Sequence, residues 1–307
     1  MKYLIYFNQQ SLKNSYAYIT RLSLIRRLIS RGDEYTFDNS ETDYQEAIFD
    51  SSETAALMFT HIHGVPFSVI GAMDSSDFIY KNETILLSQN AHNIYPSAKS
   101  IIIISPWQEE FLKSQGIKDN LRLEKPNLTF DPKQEITETE RKAFRSFYQV
   151  PEERNIVISY GSYTNSEEAK IMESIARLNP DTQFFFFGFT DRIFIQDKAQ
   201  KRMSLLSNMH FLNTMPLELY RSSLHCATCI LFTTKYLTNP LMILDYQANG
   251  VPIISYKNEN YQELVNPSTA IIPKDFPSLF KSINTIKENN QAEGAKKILN
   301  NLILNLA

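Results

Sequence analysis

The residues with the clearest chemical use stand directly behind apolar runs in the second half of the chain. Gly161 and Ser162 follow the run at 156–160, and Gly188 follows the run at 183–187. A glycine in that position lets the backbone approach a phosphate closely. Lys235 and then Thr238-Asn239-Pro240-Leu241-Met242 follow the run at 229–232. Asn before Pro reads as a helix start, which caps the helix and leaves amides able to meet an anion. Asp245 adds a carboxylate early in the same helix. For Asn239 and Asp245 the plainer roles are helix capping and first-turn charge, which any helix can use.

Other chemistry-bearing residues point to less. His225-Cys226-Ala-Thr-Cys229 contains a C-x-x-C, but a structural zinc needs four ligands and a redox pair needs an exposed helix start. Cys229 instead begins an apolar run, so neither a metal nor a redox centre is expected. His61 and His63 stand two apart on an expected helix, hence on different faces. Trp107, Tyr16 and Tyr18 could stack on a sugar or lipid, yet with 20 Phe and 16 Tyr in the chain a core role is the default.

The elements that must position these residues alternate in type. Residues 229–255 read as strand, loop, helix, strand: CILF is apolar, 239–249 has helical spacing, and Gly250-Val251-Pro252 ends the helix before Ile253-Ile254. Ahead of it come strands at 156–160, 183–187 and 210–212, with helices at 166–178, near 193–206 and at 217–224. Alternation of this kind implies a parallel sheet covered on both faces, with ligands beyond the carboxyl ends of the strands. A further strand at 270–273 and helical sequence over 275–307 complete this half.

The first half has the same rhythm. A strand at 2–7 leads to a polar loop at 8–14 and a helix with apolar Tyr18, Leu22, Ile25 and Ile29 ending at Gly32. Strands at 47–49, 67–72, 100–104 and 121–123 follow, with helices at 51–63 and after Ser105-Pro106. Residues 131–154 are charge-rich, bracketed by prolines and helical in their middle, and are read as the domain boundary.

Composition sets wider bounds. At 307 residues the chain suits two medium domains. A net charge of −3 argues against general nucleic-acid binding. No apolar run reaches the ~18 residues of a membrane span, and two cysteines cannot staple a secreted fold of this size. The expectation is a cytoplasmic chain. Arg26, Arg27 and Arg31 near one helix stripe offer peripheral contact with an inner membrane face as an alternative to a solvated face.

The run Asp245-Tyr-Gln-Ala-Asn-Gly250-Val-Pro252-Ile-Ile resembles the donor-sugar segment of family-4 retaining glycosyltransferases. There a Glu in the strand-to-helix loop is followed, eight positions on, by a second Glu that opens E-A-M-A-x-G-x-P-V-I. Asp245 falls on the second Glu and Leu237 on the first. Ser100 to Ser105 and the Lys125-Pro126-Asn127 turn also resemble that family's first domain. The resemblance implies α/β architecture of glycosyltransferase B type, two doubly wound Rossmann-like domains facing across a cleft. Residues 1–131 would be the acceptor-side domain, 132–154 a linker, 155–290 the nucleotide-sugar domain, and 291–307 a terminal helix returning toward the first.

It further implies retaining transfer from a nucleotide diphosphate sugar, UDP-sugar favoured, to a glycan, lipid or protein, with no obligatory metal and no separate cofactor. Thr238 to Met242 would lie beside sugar and diphosphate, and Asp245 would hold ribose or sugar hydroxyls. Asp74, retained where the family usually has His-Asp, would face the acceptor or cap 75–78. This chain departs from the family at Leu237 and at Ser162, which stands where an Arg is usual. Lys170, Arg192 or Lys235 would substitute for the missing basic pair. Those departures keep two alternatives open: a non-catalytic subunit working with an active transferase or a second copy, and a nucleotide-sugar epimerase on the same fold.

Overall fold

The computed structural model describes residues 1–7, 21–22, 24–25, 28–29, 32–38, 40–62, 64–71, 77–81, 84–124, 128–160, 166–187, 204–212, 215–232, 241–255, 270–271 and 275–289. The chain divides into two compact units, Met1–Asn127 and Leu128–Ala307.

In the first unit, β1 (Lys2–Tyr6), β2 (Glu34–Thr36) and β3 (Glu46–Phe49) are followed by helix α1 (Ser52–Met58). Next come β4 (Phe67–Ile70), β5 (Phe78–Lys81), β6 (Thr84–Leu87), α2 (Gln89–Ile94), β7 (Ser100–Ile103), α3 (Pro106–Ser114) and β8 (Leu121–Leu123). Six strands pair in the order β2-β1-β3-β4-β7-β8, and every pairing is parallel. β3 is buried along its whole length, as a central parallel strand covered on both faces must be. Ser51 caps α1 and Ser105 caps α3 in a capping box with Gln108, so the polar residue behind each strand starts the next helix. Gly71 follows β4 because a Cβ there would run into Ile101 Cγ2.

Several smaller elements of this unit were not expected, α2 among them. β5 and β6 form a separate antiparallel hairpin, and β2 adds an exposed edge strand. The helix expected over 51–63 ends at Met58 and tightens into a 3₁₀ turn over Phe59–Ile62.

The second unit opens with α4 (Glu138–Phe147), then β9 (Asn155–Tyr160), α5 (Ser166–Leu178), β10 (Thr182–Phe187), β11 (Met209–Leu212) and α6 (Leu217–Cys226). It continues with β12 (Cys229–Phe232), α7 (Leu241–Ala248), β13 (Ile253–Ser255), β14 (Ala270–Ile271) and α8 (Phe276–Asn289). Its sheet runs β11-β10-β9-β12-β13-β14, again with parallel pairings throughout. That is the doubly wound Rossmann order, three strands one way and three the other from β9 and β12.

Phe184 to Phe187 are each at most 1% exposed. Burying each ring contributes about 1.5–3 kcal/mol, so this strand is a main source of cohesion. Segment 132–154, expected as a linker, carries α4. Phe144 on α4 is fully buried and edge-on to Phe185 at 4.9 Å, which makes the segment part of the second unit. The terminal segment 291–307 lies outside the described residues.

Candidate functional site

A doubly wound sheet offers its binding crevice beyond the carboxyl ends of the strands where the winding reverses. In the second unit that point lies between β9 and β12, which pair through Cys229 with Val157 and Ile230 with Ile158. β9 ends at Tyr160 and β12 at Phe232, so the sequence leaves the sheet at one edge through both strands. The residues that follow are those singled out by type. Gly161 and Ser162 come after β9, Gly188 after β10, and Lys235, Thr238, Asn239 and Pro240 after β12. They lie outside the described residues, as does Asp74 in the first unit.

The described edge of the site is α7, whose first residue is Leu241. Met242, expected beside a ligand, has its side chain in the core at 2% exposure. Ile243, Tyr246 and Gln247 are also buried, so α7 is enclosed on nearly every side. Its far end closes as the sequence implied: Gly250 adopts φ 74°, Val251 N donates to Tyr246 O and Gly250 N to Gln247 O. This is a Schellman turn, and it explains the glycine.

Asp245 is 1% exposed, and its carboxylate is fully engaged by neutral donors. Thr129 N donates to Oδ1 at 2.6 Å, Thr129 Oγ1 donates to Oδ2 at 2.6 Å, and the Tyr220 hydroxyl donates to Oδ2 at 2.8 Å. Burial pushes the Asp245 carboxyl up from 3.8 to about 6, and the bonds from Thr129 and Tyr220 oppose that rise. The residue expected to meet ligand hydroxyls therefore faces inward here. It joins α7 to α6 and to the first residues of the unit.

Neighbouring contacts reinforce this junction. The Tyr246 hydroxyl and Ser223 Oγ lie 2.6 Å apart, and the Tyr220 and Tyr246 rings meet edge-on at 5.8 Å. The Arg221 guanidinium stands 5.5 Å over the Phe130 ring. Sequence reasoning missed Thr129 and Tyr220. No local signal marks them, because the Thr129 partner is 116 positions away.

The first unit has its own reversal, between β1 and β3. Asp50 follows β3 there at 1% exposure; its Oδ1 accepts from Thr54 Oγ1 at 2.6 Å and its Oδ2 from Arg21 Nη1 at 3.3 Å. Ser52 Oγ donates to the buried Asp77 carboxylate. Sequence reasoning passed over Asp50, although a carboxylate directly behind a buried strand is the available signal. Trp107 stacks on Phe111 at 5.3 Å, which gives it a packing role.

Cys226 and Cys229 are free thiols, each pushed up to about 12 mainly by burial, which keeps them protonated at neutral pH. Among the described residues no cluster of three His, Cys, Asp or Glu side chains could hold a metal. Among them, too, no helix is long and apolar enough to cross a membrane.

No protein-family model matches the sequence, and no curated protein sequence does. Solved structures match it over most of its length. HepE from Anabaena, in complex with UDP-glucose, is 15% identical with a TM-score of 0.66, over 97% of this chain and 94% of that one. WaaG, a glycosyltransferase involved in lipopolysaccharide biosynthesis, is 13% identical with a TM-score of 0.64, over 98% of this chain and 95% of that one. Sucrose-phosphate synthase from Thermosynechococcus elongatus is 15% identical with a TM-score of 0.60, over 82% of this chain and 66% of that one. At these identities the likeness establishes the fold: two Rossmann-like units of glycosyltransferase B type.

Proposed function

We propose that this chain moves a sugar from a nucleotide diphosphate sugar, UDP-sugar favoured, to a glycan, lipid or protein hydroxyl with retention of anomeric configuration. The supporting observation is the fold match along 97% of the chain to a protein solved with UDP-glucose. The Asp245 to Ile254 motif adds a second, sequence-based support.

On this reading the second unit takes the donor. The diphosphate lies beyond β9 and β12, its charge met by backbone N–H groups near Gly161, Ser162 and Gly188 and by the Lys235 ammonium. Thr238, Asn239, Pro240 and Leu241 border the sugar, with Met242 supporting them from the core. Asp245 shapes the site from inside the helix. Asp74 in the first unit orients the acceptor hydroxyl. Stabilising the leaving diphosphate is the main demand, and amides and a lysine meet it without an obligatory metal. The working compartment is the cytoplasm or the inner membrane face.

Isothermal titration with UDP and GDP tests the reading. UDP binding at micromolar to low millimolar concentration, tighter than GDP, is the expected result. Absence of UDP binding at millimolar concentration would remove the donor assignment.

A further inference from the structure

Asp245 holds together parts of the chain that are far apart in sequence. Thr129 stands two residues into the second unit, where the chain has just crossed from the first. Tyr220 is on α6, and Asp245 is one turn behind the first residue of α7. Both carboxylate oxygens are occupied, and the three donors come from two directions, the entering strand of chain and α6. Phe130, next in sequence, packs on the Tyr220 ring at 6.2 Å and under the Arg221 guanidinium. Arg221 in turn reaches Glu140 on α4 at 3.2 Å.

A buried carboxylate with three good donors is rigid, because releasing any one donor leaves an unmet charge in a dry site. α7 therefore cannot shift along its axis without breaking bonds to Thr129 and Tyr220. Lys235 and Thr238 to Pro240, which the proposed function assigns to the donor, precede the start of α7 directly in the sequence.

We propose that Thr129 and Tyr220 are positioning residues for donor binding: they act through Asp245 to fix α7 and tie it to the segment entering the second unit. This rests on the UDP-sugar reading above. It assigns no ligand contact to Thr129, Tyr220 or Asp245. Loss of the Thr129 hydroxyl or the Tyr220 hydroxyl is expected to cost UDP affinity, and a serine at 129 is expected to restore it because Oγ is retained.

The test is UDP titration on the full chain at neutral pH, comparing wild type with Thr129→Val, Thr129→Ser and Tyr220→Phe, alongside hydrogen exchange of the amides at 128–131. Thr129→Val and Tyr220→Phe should each weaken UDP about tenfold, and Thr129→Ser should stay within about threefold of wild type. Saturating UDP should slow exchange at the Thr129 amide, whose N–H is bonded to Asp245. Wild-type UDP affinity in both Thr129→Val and Tyr220→Phe would overturn the positioning role while leaving the donor reading standing. So would a Thr129→Ser variant as weak as Thr129→Val. A wild type that binds no UDP would overturn the donor reading and this assignment with it. Should Tyr220→Phe fail to fold, the near-isosteric Thr129→Val decides alone.

Discussion

Each unit buries a carboxylate in the sequence that follows a strand at its sheet's reversal, and the two are held by different means. Asp50 and Asp245 are both 1% exposed. Asp50 has a guanidinium, Arg21, at 3.3 Å, with Thr54 on its other oxygen. Among the described residues Asp245 has neutral donors alone, two from Thr129 and one from Tyr220. A cation compensates buried charge directly, whereas neutral donors do so in part, and the carboxyl of Asp245 rises to about 6 as a result. The first arrangement anchors the end of a central strand. The second leaves a carboxyl whose charge state changes near pH 6, inside the helix that borders the proposed donor site.

The largest expected effect is at the ion pair. Arg21→Ala would remove this guanidinium from the buried Asp50 carboxylate and should destabilise the chain by about 3–5 kcal/mol in urea unfolding. A loss below about 1 kcal/mol would mean that the Arg21 guanidinium does not carry the compensation of Asp50 and that the contrast with Asp245 is not real.

The next effect is a pH dependence at Asp245. Its folded pKa lies above its unfolded value of 3.8, so the contribution to stability is fully present below pH 3.8 and is lost as pH rises through about 6. Wild type should therefore lose about 2 kcal/mol relative to Asp245→Asn between about pH 4 and pH 7. A stability difference that stays flat over that window would show that Thr129 and Tyr220 compensate the charge fully.

The smallest effect calibrates the other two. Arg177 and Glu173 form an exposed helical pair at 2.9 Å, with the arginine side chain 55% exposed. Arg177→Ala should cost about 0.5 kcal/mol or less by thermal unfolding. A larger value would mean that pairing itself, and not burial, governs the carboxylates of this protein.

Much of the fold was legible because central parallel strands are continuous apolar runs bounded by polar residues. The runs at 183–187 and 229–232 needed no tertiary information. The β5–β6 hairpin and β2 escaped because they are short and lie outside the central strands. α4 was visible as a helix, but its place in the second unit depends on Phe144 meeting Phe185, a contact no local pattern encodes.

The site divides in the same way. Asp245 was legible through its register with Gly250 and Pro252, since the Schellman turn and the strand after it fix that spacing. Its inward direction was not, because Thr129 and Tyr220 come from elsewhere in the sequence. Asp50 and Arg21, 29 positions apart, were hidden for the same reason.

The central claim is that the second unit takes a UDP-sugar at its reversal point. A crystal of the full chain soaked with UDP measures this directly. The expected density lies beyond the carboxyl ends of β9 and β12, with the diphosphate against residues 161–162 and 235–241. UDP bound elsewhere, or no UDP at saturating concentration, would contradict the claim.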